Sequence, residues 1–372
     1  MSASPPDVEG LVRARFSVKE YFALPDGELE FQIAYDQNTK RRFSDFQTEA
    51  AAKGYRPELA GSKDDCVLVL RKAEQTPSRQ SRVTVLMALL TLASLGVFAY
   101  FQLPVDEQLL PSVSAGYVFF GFAGTVAVLL GAHEMGQRLA ARNGRAGHSN
   151  SYLIPGVPFI TSFLPSLGFV NTQREPAVNK DALFDVVIAG PLAILVLAIV
   201  LYILGEVTAV PSTVPLNTIP LANSTILINP SAIQMGIGLL LGPLVRSVPA
   251  GYVQISPIAD GAAFGFVLVF ICLLPMAIFD GGLLANVAWG EKAARGTTYL
   301  SVLVLLIIDM NVAPYWAVAI VALLLAGRPA RLKLRDEVSR LSSSRRWVFV
   351  GTLVLAFLCL PIPHSLATLP LP

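Results

Sequence analysis

The feature that most constrains this chain is a series of apolar blocks long enough to cross hydrocarbon, one of which carries a histidine and a glutamate. A spanning helix needs roughly 17–25 predominantly apolar residues. Val83–Phe101, Tyr117–Leu139, Ala182–Leu204 and Pro257–Pro275 meet that length, and Tyr299–Met310, Tyr315–Gly327 and Trp347–Leu360 are shorter runs of the same kind. Charged residues make up only 15% of the 372 residues against 53% hydrophobic, where a soluble domain carries nearer a quarter charged. The pattern predicts a mainly α, polytopic transmembrane bundle of about six to seven spans, embedded in lipid. The net charge of +2 is too small to suggest a nucleic-acid partner.

Two segments depart from that pattern. Residues 1–82 are charged and read as a separate soluble cytosolic α+β module, preceding a transmembrane domain over 83–372. Glu28–Tyr35 alternates like a half-buried strand, Asn38 heads a helix running to about Lys53, and Tyr55–Leu59 and Cys66–Leu70 suggest two further strands. Its opening, MSASPPDVEG, lacks the apolar core of a secretory signal. Tyr152–Val170 is apolar but broken by Pro155, Pro158, Pro165 and Gly168. That composition suits a membrane-dipping loop, which survives only when buried in protein or lining a cavity. The third span is expected to kink or break near Gly190–Pro191.

Lysine and arginine cluster before the first span, after the second and fourth, and before the last (Arg71, Arg142, Lys292 and Arg340 among them). With seven spans every cluster lands on one side, which the positive-inside rule makes the cytoplasm. The N-terminus is then cytoplasmic, and the protein is a multi-pass protein of the cell membrane, a prokaryotic plasma membrane by expectation. His133 and Glu134 near the end of span two then share a depth with Asp280, just past span four.

Ionisable groups inside spans are expensive and usually functional. In H-E-x-x-H on a helix the first and fifth positions share a face and hold one zinc ion, and the adjacent Glu takes a proton from the water it activates. Here LLGAHEMGQRLAAR puts Gln137 at the fifth position. Its amide oxygen is a neutral, weak ligand. Losing even a residue that only orients a zinc ligand typically costs about 10–100-fold. On these residues alone, a proton relay or a structural hydrogen-bonded pair competes evenly with zinc. Cys272 is either a soft extra ligand or a small apolar filler. His148 and His364 read as solvated loop residues, Asp260 and Asp309 as groups reaching water at span ends, and Asn223-Ser-Thr as a weak glycosylation signal. Gly281-Gly282 suggests a tight turn aiming Asp280 inward.

HEMGQRLAAR, the Pro-rich insertion ending GFV, NKDALFDVVIAGPLA and LLPMAIFDGG together resemble the site-2 protease family of intramembrane zinc metalloproteases, in its prokaryotic and plastid EGY-like branch. The resemblance covers nearly the whole chain. It implies one zinc per chain, with His133 and Asp280 as ligands and Glu134 as the catalytic general base. Gln137 stands where the family has its second His, Cys272 where it has the Asn before LLP, and Ile278 and Leu283 where the branch has Gln and His. The implied activity is cleavage of transmembrane segments of membrane proteins, in regulated intramembrane proteolysis. The substrate would be an unwound helix, paired along an edge strand within Ser151–Asn171. The alternative is a pseudoprotease that binds transmembrane segments without cutting them. A transporter or proton channel fits least, because the polar groups lie near one face rather than along a path. Oligomeric state is not legible.

Overall fold

The computed structural model describes residues 5–24, 27–72, 82–109, 113–144, 149–157, 161, 164–173, 175–213, 230–242, 249, 254–277, 279–309, 315–326 and 332–361. His148, His364, Asn223, Ile278 and Pro158 lie outside them.

The N-terminal part contains α1 (Pro5–Arg15), β1 (Val18–Ala23), β2 (Leu29–Ile33), α2 (Thr39–Ala52), β3 (Tyr55–Gly61) and β4 (Cys66–Lys72). The strands form an antiparallel sheet in the order β1-β2-β4-β3. Alternation decides which face is inside: Leu29, Phe31 and Ile33 of β2 and Tyr55 and Leu59 of β3 are buried against Phe43, Phe46 and Ala50 of α2. The turn between β3 and β4 requires glycine. Gly61 has φ +90°, and a Cβ there would lie 2.2 Å from the Asp65 carbonyl oxygen. The three expected strands and the helix are present, while α1 and β1 add elements that the sequence reading did not anticipate.

The exposed edge of β3 is covered rather than left open. Leu59 N–H donates to the Arg335 carbonyl (2.6 Å), and Glu337 N–H donates to the Leu59 carbonyl (3.1 Å). An ionic clasp completes the docking. Asp181, at the start of α5 (Lys180–Val207), binds Lys40 of α2 at 2.7 Å and Arg345 of α11 (Ser343–Leu358) at 3.0 Å. Arg345 also grips Asp185 with both prongs, at 2.7 and 2.6 Å, the strongest geometry for this pair. Asp185 is therefore a tether. Burial pushes the Cys66 thiol up to about 12, with the charges of Asp336 and Asp65 adding to it, so Cys66 stays protonated and unreactive at neutral pH. Arg345→Ala should weaken docking by on the order of 1–2 kcal/mol, raising alkylation of Cys66 in the native protein about 5–30-fold. An unchanged rate, read by mass spectrometry of the Cys66 peptide, would show that the clasp does not hold this region.

The membrane-type part is built on α3 (Arg82–Leu109), α4 (Ala115–Gly144), α5 and α7 (Pro257–Leu273). Among the described residues, three stretches are long and apolar enough to cross a membrane: Arg82–Phe101, Ala115–Arg142 and Lys180–Val207. The helices α6 (Ala232–Leu241), α7 and α10 (Trp316–Ala326) are apolar but shorter. Fifteen residues of α7 are buried, which makes it the central post of the bundle. Small residues let its neighbours approach: a Cβ on Gly205 would meet the Ala259 backbone nitrogen at 2.5 Å, and one on Gly265 would meet Leu129 at 2.8 Å. Outward faces are apolar and exposed, as at Leu86, Leu89 and Leu90 of α3 and Val354 and Phe357 of α11.

The structure sharpens three expectations. The Pro-rich insertion, expected as a membrane-dipping loop that offers an edge strand, forms over its described residues an antiparallel hairpin of β5 (Ser149–Pro155) and β6 (Ser166–Gln173). Gly168 adopts φ +108° within it. Of the kink or break expected near Gly190–Pro191, the break is absent: α5 runs through Pro191, opened by Asn179 accepting from Ala182 N–H at 2.9 Å. Gly281 and Gly282 do not form a turn; they lie in the first turn of α8 (Asp280–Trp289). The turn precedes them, with Ala277 at φ +41°. A Cβ on Gly281 or Gly282 would meet the Leu274 or Ala277 carbonyl at 2.2 or 2.1 Å, so both glycines permit close approach. The strands β7 (Val210–Pro211) and β8 (Gln254–Ile255) pair with each other, and α9 (Glu291–Asp309) packs against α8 and α10.

Candidate metal centre

Three elements distant in sequence converge at the centre. The helix α4 supplies His133 and Gln137 one turn apart on its inner face, α7 supplies Cys272 in its last turn, and Asp280 opens α8. Asp280 stands at a helix N-terminus, where a carboxylate is favoured. The bridge between Val170 and Phe279 holds β6 against the residue just before it.

Asp280 is the hub. Its Oδ2 lies 2.8 Å from His133 Nε2. Its Oδ1 accepts from Gln137 Nε2 at 3.2 Å and from Asn171 Nδ2 of β6. His133 and Asp280 are wholly buried, and Gln137 and Asn171 nearly so. Ser151 Oγ lies 2.7 Å from both Gln137 Oε1 and Asn171 Oδ1, so its single proton serves one of them at a time. The His133 ring is stacked on Phe169, with centroids 3.6 Å apart and planes 11° apart. Its Nδ1 is buried with no hydrogen-bond partner among the described residues. Such an orphan costs about 1–3 kcal/mol, which a purely structural histidine would be expected to avoid.

The donor chemistry fits a zinc-type ion. Ligand atoms of His133, Cys272 and Asp280 all lie within 4.8 Å of one another. Imidazole nitrogen, thiolate sulfur and carboxylate oxygen are the three donor types that zinc takes, at about 2.0–2.3 Å, and three protein ligands leave one position open. Two site expectations fall differently. Gln137 turns its amide nitrogen, which is no ligand, toward Asp280 and donates to the carboxylate. Glu134 is not drawn into the cluster; its carboxylate pairs with Arg138 at 2.9 Å, partly exposed. Asn171, Ser151 and Phe169 escaped the sequence reading as individual residues, although a lone Asn directly after the apolar GFV was a visible signal. Gly190 lies against the imidazole: a Cβ there would sit 2.5 Å from His133 Nε2.

Fold and site together define a membrane-type helical bundle with a buried His–Cys–Asp donor cluster between its central helices. The family model of peptidase family M50 matches residues 121–308, which include the whole cluster, and the chain belongs to that family, the site-2 proteases. It is 30% identical over 251 residues to the probable zinc metalloprotease EGY2, chloroplastic, of Arabidopsis thaliana, an alignment covering 64% of this chain and 41% of the relative. It is 28% identical over 243 residues to EGY2 of Oryza sativa subsp. indica, covering 64% and 42%. It is 27% identical over 246 residues to EGY1 of Oryza sativa subsp. japonica, covering 63% and 39%. The chain thus spans about two fifths of the length of these relatives. No solved structure matches it.

Proposed function

We propose that this chain is an intramembrane zinc metalloendopeptidase that cleaves transmembrane segments of membrane proteins. It would hold one zinc per chain and lie in a prokaryotic plasma membrane with six to seven spans and a cytoplasmic N-terminus. The observation that carries the reading is the convergence of His133, Cys272 and Asp280, all fully buried, in one donor cluster. Relatives named as probable zinc metalloproteases support it, and the one-sided basic clusters support the orientation.

Bound zinc would supply Lewis-acid activation of water. His133 and Asp280 would hold it, and Gln137 and Asn171 would fix the Asp280 carboxylate. Glu134, one residue along the helix from His133, would take the proton of the attacking water and return it to the leaving nitrogen. Its pairing with Arg138 is no barrier to that role. An exposed i,i+4 pair contributes only about 0.3–0.5 kcal/mol, so a change of rotamer costs little. An unwound substrate segment would add as a further strand to the β5–β6 hairpin, whose two strands pair only with each other among the described strands.

The test is zinc content and cleavage of a transmembrane substrate by purified protein in detergent. Wild type should carry about one zinc per chain, and Glu134→Ala should abolish cleavage while keeping the zinc. The pseudoprotease reading has its own support in the glutamine at position 137. Substrate binding that survives Glu134→Ala, with no cleavage by wild type, would establish it instead.

A further inference from the structure

Resting on the metal-centre reading above, we infer that Cys272 is a zinc ligand in place of the imidazole that Gln137 lacks, so that the centre is a His133–Cys272–Asp280 site. The Gln137 amide nitrogen donates to Asp280, and its oxygen shares the Ser151 hydroxyl proton with Asn171. The fifth position of the motif therefore offers no imidazole and no charged donor, and His133 with Asp280 alone would leave a catalytic-type zinc one strong protein ligand short. Cys272 fills that gap from a different helix. It is fully buried in the last turn of α7. There it faces an imidazole and a carboxylate, whereas a cysteine serving only as filler would face hydrocarbon. Its sulfur lies within 4.8 Å of the ligand atoms of both His133 and Asp280.

Binding forms a sulfur–metal bond and releases the thiol proton to water. A thiolate and a carboxylate together neutralise a divalent ion, which lowers the cost of holding it in a buried, low-dielectric site. The two departures at Gln137 and Cys272 thus form one compensated change: a ligand moved from α4 to α7, with Gln137 retained as a clamp on Asp280.

The experiment uses the full chain in detergent, stripped of metal and reloaded with cobalt(II) as the probe. The wild type should show a thiolate-to-cobalt charge-transfer band in the near ultraviolet. The band should persist in a Cys66→Ser/Cys359→Ser variant, since those cysteines lie in β4 and beyond the end of α11. Cys272→Ser should lose the band and at least about tenfold in cobalt affinity. A Gln137→His/Cys272→Asn variant should regain affinity without the band. Cobalt bound by wild type with no such band would overturn the Cys272 assignment and leave the metalloprotease reading standing. Failure of every form to bind cobalt or zinc would overturn both.

Discussion

Gly190→Ala is expected to strip the centre of metal while the rest of the bundle stays folded. The added Cβ would lie 2.5 Å from His133 Nε2, 2.6 Å from Cδ2 and 2.9 Å from Cε1. Three nearly equal distances put that carbon over the face of the ring. Phe169 holds the other face at 3.6 Å, so the imidazole has no free direction along its normal. The helices cannot separate cheaply either: a Cβ on Gly136, one turn further along α4, would be 2.6 Å from the Ala189 carbonyl, so the two backbones are already in close contact. The ring must therefore leave its position. Overpacking of this kind typically costs 1–3 kcal/mol, and losing alignment of a ligand costs at least about 10–100-fold in metal affinity. Gly131→Ala is the matched control, because a Cβ there meets nothing within 4 Å. Metal content and thermal unfolding of both variants decide the matter. Stoichiometric metal in Gly190→Ala would mean that the ring's position is not what holds the ion.

The split between what the sequence revealed and what it concealed follows the range of the interactions. The helix α2 and the strands β2, β3 and β4 were legible because period-2 and period-3.6 burial are local. β1 was not: it is an edge strand with no fully buried residue, so it shows no alternation. The helix α1 did carry a signal, Val8 and Val12 four residues apart and both buried, but it is short and interrupted by Gly10. The long apolar helices were legible by length alone. At the site, the common depth of His133 and Asp280 followed from the order of spans, and the structure brings them together. The contributions of Asn171, Ser151 and Phe169 depend on the register of a hairpin and on its bridge to Phe279, which no local pattern encodes. Gly190 and Gly281 were visible as glycines, but a glycine in a membrane helix serves equally for a kink, for packing or for room beside a side chain. Only the neighbouring atoms distinguish these roles.

Two substitutions of Asp280 should separate its roles as ligand and as hydrogen-bond hub. In Asp280→Asn the side-chain oxygen can still accept from Gln137 and Asn171, and the new amide N–H₂ can donate to the His133 ring nitrogen. The network is preserved in form, and a buried charge is removed, which is often neutral or stabilising. The apo protein should therefore melt at or above the wild-type temperature. The anionic ligand is gone, however, so metal affinity should fall by more than about 100-fold, given that residues which merely orient ligands already contribute about 10–100-fold. Asp280→Ala should lose metal to the same extent and stability as well. It leaves the donors of Gln137, Asn171 and His133 facing an empty, buried space, at about 1–3 kcal/mol for each unpartnered group. Metal analysis should thus fail to distinguish the two variants, while thermal unfolding in detergent should separate them clearly. Stoichiometric zinc in Asp280→Asn would remove Asp280 from the ligand set. Equal melting temperatures for the two variants would mean that the amides of Gln137 and Asn171 find other partners, and that the carboxylate is not what organises this centre.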